Sequence, residues 1–219
     1  MMIFDIEILK SILMNEYGDK YNKLMKNIKF NPIVSYTTRP MRDSETEGLE
    51  HYFITNDEAD KLLSTNDTLA YTEINNYKYF TLKEQLKDQN VYIIDPTGIE
   101  DISNRYPDIE KVIIYVSSNY QNRKYRYISR SKECTEEDFE KRNEAEDKQF
   151  TIFERKLHNY DNIHTIVNNS PYILSAVSSA VEVIMDTYNP NVLYCVVGRT
   201  SSGKDTITRY LCKLFNDYG

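Results

Sequence analysis

The sequence contains no tryptophan, and only three cysteines and three histidines. Cys134, Cys195 and Cys212 form no C-x-x-C pair, and an odd, scattered set is no disulfide framework, so a reduced cytoplasmic protein is expected. His51, His158 and His164 stand at no metal-ligand spacing with them. No apolar run approaches the roughly 18 residues of a membrane span, so no membrane partner is expected. The opening MMIFDIEILKSILMNEYG is acidic and lacks the basic start of a secretory leader. An excess of basic residues is also missing: 27 Lys and Arg against 34 Asp and Glu leave a formal charge of −7. Neutralising a phosphate backbone needs a basic face, so no nucleic-acid partner is expected, although a few focused arginines can still hold a small anion. There is no low-complexity tract. What remains is a 219-residue chain, 40% hydrophobic and 28% charged, of a size and composition for one compact domain.

Short β-branched runs alternate with helical patterns. Residues 3–17 show helical spacing and stop at Gly18, followed by a polar connector to residue 32. IVSYTT (33–38) and HYFIT (51–55) read as strands, Asn56 or Asp57 as the cap of a short helix, and residues 69–80 as a hairpin followed by the helix TLKEQLKDQ. VYIID (91–95), KVIIYVS (111–117), TIVNN (165–169) and VLYCVV (192–197) suit strands of a mostly parallel sheet. Residues 120–158 are helical and charged, with a break near 133–135. SPYIL opens a helix from residue 170 with a serine cap and a proline. The divisions are 1–32, 33–90 for acceptor binding, 91–186 with a lid at about 119–145, a linker at 187–191, and 192–219.

Gly198-Arg-Thr-Ser-Ser-Gly-Lys204 follows an apolar strand and opens a helix, the context of a phosphate-binding loop. Gly198 and Gly203 let the backbone curl, so that amides around Thr200, Ser201 and Ser202 point inward. The helix start adds partial positive charge and Lys204 a full one. Asp205 stands where Ser or Thr is usual; its carboxylate can serve magnesium, and Thr206 keeps a hydroxyl nearby. Only one helix follows this loop, so the acceptor site lies upstream.

SYTTRPMRDSETEGLEHYFIT (35–55) resembles the segment by which guanylate kinases hold the phosphate of a nucleoside monophosphate. The resemblance gives that role to Ser35, Arg39 and Arg42. Independently, two guanidinium forks three residues apart in a turn can aim at one dianion. NYKYFT resembles the family's base-pocket segment through Tyr79 and Thr81, and YIIDPTG its acidic strand end through Asp95. Arg126, Arg130 and Arg142 match the lid arginines, and Asn168 the adenine side. A glutamate-laced, solvent-exposed helix pair is the competing reading of residues 123–142.

The order is permuted, because the family begins with the phosphate loop. Specificity positions also depart. The guanine-reading glutamate falls on Ala70 and the second guanine-reading acid near Thr97, while the phosphate-binding tyrosine falls on His51, beside Tyr52. Glu73 replaces the missing glutamate only in another hairpin register.

The resemblance implies an α/β P-loop kinase fold with a mostly parallel central sheet, a small monophosphate-binding β subdomain and a helical lid. It implies ATP and Mg2+, the latter at Asp205 and Asp95, GMP or dGMP as the first acceptor, and a monomer or homodimer. Alternatives are a P-loop kinase for another phosphorylated small molecule, such as a sugar phosphate, and a non-catalytic binding module. VLYCVV is expected in one sheet with IVSYTT and VYIID. Residues 3–17 are expected to pack peripherally or on a second subunit.

Overall fold

The β-branched runs do meet in one sheet in the computed structural model of the chain, which describes residues 6–216 except 26, 27, 29, 44, 75 and 132. Its strands are β5 (Val91–Ile93), β6 (Lys111–Ser117), β7 (Ile163–Val167) and β8 (Leu193–Val197), in the order β5-β8-β6-β7 and all parallel. Alternation divides them between two helical layers. Val112, Ile114, Val116, Tyr194 and Val196 meet α1 (Ile6–Met25), α6 (Ile173–Thr187) and α7 (Lys204–Asn216). Ile113, Tyr115, Leu193, Cys195 and Val197 meet α3 (Pro96–Arg105) and α5 (Glu136–Arg155). Both faces are covered, as a parallel sheet requires.

A second sheet runs β2-β1-β4-β3, from β1 (Tyr36–Thr37), β2 (Tyr52–Phe53), β3 (Thr68–Ile74) and β4 (Tyr77–Leu82). Ala59 of α2 (Asn56–Thr65) packs there on Phe80 and Leu82. The IVSYTT run is shared between the sheets. Pro32 bridges to Val91 and the Ile33 amide donates to the Val91 carbonyl at 2.6 Å, whereas Tyr36 and Thr37 pair with β4. VLYCVV therefore shares a sheet with VYIID, and the IVSYTT run only touches that sheet at its start.

Several expectations are corrected. Gly18, with φ 51° and ψ −126°, kinks α1 instead of ending it, and helix resumes where a connector was expected. Leu9, Leu13 and Tyr21 are fully buried with α6 and α7, so the helix is part of the core rather than peripheral. Thr55, not Asn56 or Asp57, caps α2, because Glu58 completes a capping box with it. TLKEQLKDQ supplies only a 3-10 turn at Lys83–Lys87. The helix expected from residue 170 starts at Ile173, which leaves Ser170 and Pro171 ahead of it. The charged region splits as expected, into α4 (Tyr120–Ile128) and α5. Among the described residues no helix is long and apolar enough to cross a membrane.

Candidate active site

Asp95 follows β5, Ser118 follows β6, Asn168 follows β7 and the Gly198–Gly203 loop follows β8. All four lie beyond the carboxyl ends of neighbouring parallel strands, the edge at which open α/β sheets bind ligands.

The loop after β8 is tightly curled. A Cβ on Gly198 would lie 2.6 Å from the Val116 carbonyl oxygen and collide with Ser202. Gly203 has φ +97°, and a Cβ there would strike the Asn168 amide. Ser201 holds φ 60°, in the left-handed region that favours glycine. The Ser201 and Ser202 hydroxyls are buried without a hydrogen-bond partner. Helix α7 opens at Lys204, whose Nζ lies 3.6 Å from Asp205 Oδ2. Desolvation opposes ionisation of Asp205, but the Lys204 charge, a hydrogen bond from its own backbone amide, and the Arg130 and Arg209 charges outweigh it and hold its carboxyl below the usual range. Curled backbone, a helix start, orphaned hydroxyls and a lysine beside an ionised aspartate fit a magnesium-bound polyphosphate.

Among the expected lid residues, Arg126 is anchored behind the loop. It donates to the Asn168 carbonyl at 2.9 Å and Ser118 Oγ at 3.1 Å, with longer contacts to the Ser202 and Ser170 carbonyls. Asn168 in turn donates to the Ser202 carbonyl at 2.8 Å. Asn168 thus braces the loop in this structure. Arg130 and Arg142 lie over the Tyr127 ring, at 6.0 and 5.6 Å from its centre. Both guanidinium groups gather there, and the field of Arg130 reaches Asp205.

On the acceptor side, a cavity of about 180 Å³ is lined by Ser35, His51, Ala70, Thr72, Tyr79 and Asp95, among others. Ser35 Oγ and His51 Nδ1 are 2.8 Å apart. Burial, and then the Arg39 charge, push the His51 pKa down. Arg39 is fixed by Glu45 through two bonds of 2.7 Å, both side chains being about nine-tenths buried. Those bonds raise its pKa further. Arg42 is exposed, 3.7 Å from the same carboxylate. Asp95 accepts from the Gly98 amide at 2.7 Å as the cap of α3, and burial raises its pKa.

Besides Arg39 and Arg42, four expected acceptor residues lie outside the lining. Glu73 is exposed on the opposite face of β3 from Ala70, accepting from the Tyr71 hydroxyl, because a strand's side chains alternate. Thr81 is buried and bonded to the Tyr92 hydroxyl at 3.1 Å. Tyr52 packs on Tyr36, and Thr97 accepts from Gln149 on α5. Asp95 and Asp205, expected to share a metal, stand on different elements. Among the described residues no three His, Cys, Asp or Glu side chains form a metal-holding group.

The sequence reading missed a seam between α5 and the phosphate loop. Asn143, Glu146, Asp147, Phe150 and Glu154 share one helical face, at i, i+3, i+4, i+7 and i+11. Arg199 donates to Glu154 at 3.0 and 3.2 Å and to Asp147 at 2.9 Å, over the Phe150 ring. The Thr200 amide donates to Glu146 at 2.8 Å, and its hydroxyl does so as well. The spacing of these carboxylates was visible in the sequence; their shared partner in a loop some fifty residues away was not.

The profile described as guanylate kinase matches residues 19–183. The guanylate kinase of Clostridium acetobutylicum is 29% identical over 177 residues, covering 78% of this chain and 82% of that protein. That of Clostridium tetani is 28% identical over 181 residues, covering 78% and 85%. The crystal structure of guanylate kinase from Anaplasma phagocytophilum superposes with a TM-score of 0.47 at 19% identity, covering 78% of this chain and 83% of that one.

Proposed function

Because the chain belongs to the guanylate kinase family of nucleoside monophosphate kinases, we propose that it transfers a phosphoryl group from ATP to a guanine-type nucleoside monophosphate. The observation that carries this reading is the gathering at one sheet edge of a phosphate loop ending in Lys204, Arg126 of α4, Arg130 just after it, and the loop bearing Asp95, which lines the Ser35–His51 cavity.

Phosphoryl transfer asks the protein for alignment and charge compensation more than for covalent help. Lys204 and the amides of the curled loop hold the donor phosphates. Asp205 is the residue to hold magnesium, which when bound neutralises phosphate charge. Arg39, preset by Glu45, grips the acceptor phosphate with Ser35, His51 and Arg42. Tyr79 borders the base, and Asp95 orients the acceptor. Arg130 and Arg142 close from the Tyr127 side, excluding water and compensating the charge that spreads over the transferring group.

The chain order is read as a circular permutation of the family. What supports this is that the family match ends at residue 183, ahead of the loop, while β8 still fills the slot between β5 and β6. Guanine preference is read as relaxed, since Ala70 lines the cavity and Glu73 faces away from it. The test is ADP release from ATP–magnesium with GMP, dGMP, AMP, CMP, UMP and dTMP in turn. The expected result is release that requires a monophosphate, fastest with GMP or dGMP. Release that ignores the acceptor, or none with any of the six, contradicts the reading.

A further inference from the structure

Arg123 is an anomalous charge among the described residues. It is 5% exposed, yet its Nε and Nη1 are buried without a partner; only Nη2 is engaged, donating to Asn143 at 2.8 Å. Its guanidinium lies 5.7 Å from the Phe139 ring centre. A guanidinium stays protonated in proteins, and a buried cation lacking an anion is costly. Burial and the neighbouring Arg199 charge both disfavour its ionisation, while Glu146 stands first among the groups that favour it. Glu146, however, is spent elsewhere: its carboxylate holds the amide and hydroxyl of Thr200, inside the phosphate loop. Asn143, which anchors Arg123, lies one turn before Glu146 on the same face of α5.

We propose that Glu146 is an internal anion of the phosphate loop, and that Arg123 is the positioning residue that receives its carboxylate when a nucleotide phosphate claims the loop. One arrangement leaves Arg123 unpaired and the loop occupied. The other satisfies Arg123 and removes a negative charge from the path of the phosphates. The Arg199 clasp to Asp147 and Glu154 ties α5 to the loop, so the proposed exchange is a side-chain rotation rather than a helix movement. Arg123 thereby lowers the cost of nucleotide entry without touching the nucleotide. This inference rests on the reading of residues 198–204 as the donor phosphate site.

The test is calorimetric titration of ATP–magnesium into the wild type, Glu146→Gln, Arg123→Met and the double variant, each with its melting temperature. Glu146→Gln is expected to bind ATP about 5-fold more tightly, since the competing charge is gone. Arg123→Met is expected to bind about 5-fold more weakly, and this loss should disappear when Glu146→Gln is already present. A loss of the same size in both backgrounds overturns the exchange and makes Arg123 a direct phosphate ligand. Unchanged ATP affinity with a shifted melting temperature makes the pair merely structural and also overturns it. Should Arg123→Met fail to fold, Arg123→Gln carries the same cycle. A wild type that binds no ATP overturns the phosphate-loop reading itself, a failure distinct from binding without coupling.

Discussion

Arg39 shows what a single side chain does here. Two bonds to Glu45 fix its guanidinium before any ligand arrives, so in its proposed role little entropy remains to be lost when an acceptor phosphate binds. Arg39→Ala is expected to raise the acceptor KM by about 100-fold while leaving ATP affinity within about 3-fold, as a lost charge-assisted fork requires. Steady-state kinetics with each substrate varied checks the split. His51 carries a pH signature. Its folded pKa is pushed below the ordinary 6.5, first by burial and then by Arg39, so the unfolded chain binds the proton more readily. Stability then rises with pH, because the unfolded state binds more protons. The contribution is present above about pH 6.5 and lost as pH falls through the lowered folded value. Melting temperatures between pH 5 and 8 are expected to drop more steeply on the acid side for the wild type than for His51→Tyr.

At the scale of elements, much was legible. The four apolar runs became the parallel strands, because β-branched runs between turn signals have few other uses. The phosphate loop was equally plain, since its glycines answer a backbone demand written in local sequence. What escaped notice was set by distant partners. Glu73 was left open between two faces of a hairpin, and the pairing of Glu73 with Lys78 and of Ala70 with Thr81 fixed it outward. Arg199 looked like a loop residue, yet α5 claims it with two carboxylates. Helix α1 was expected to pack peripherally or on a second subunit, but α6 and α7 leave a surface that Leu9, Leu13 and Tyr21 cover. Leu13→Ala is therefore expected to destabilise the protein by about 2–4 kcal/mol, a core truncation that an exposed helix would not feel. Urea unfolding with an unchanged slope checks it.

For the whole molecule, the last strand in the chain is the second in the sheet, hydrogen-bonded on both sides. Every residue of β8 is buried, and α7 adds Ile207, Leu211, Leu214 and Phe215 to the same core. Removing residues 192–219 would open both β5 and β6 and strip α1 of one packing partner. The shortened chain is expected to lose its cooperative thermal transition, which calorimetry or circular dichroism would register. In the proposed reaction Lys204 and Arg39 serve one site, and β8 brings them together by completing the sheet of its own chain. Lys204→Ala and Arg39→Ala are each expected to disable one half of that site. Acceptor-dependent ADP release by an equal mixture of the two variants, unfolded and refolded together, separates the alternatives. The expected result is a mixture as inactive as either variant alone beside an active wild type. Recovery of roughly a quarter of wild-type activity, as exchange of β8 and α7 between two chains would give, contradicts it.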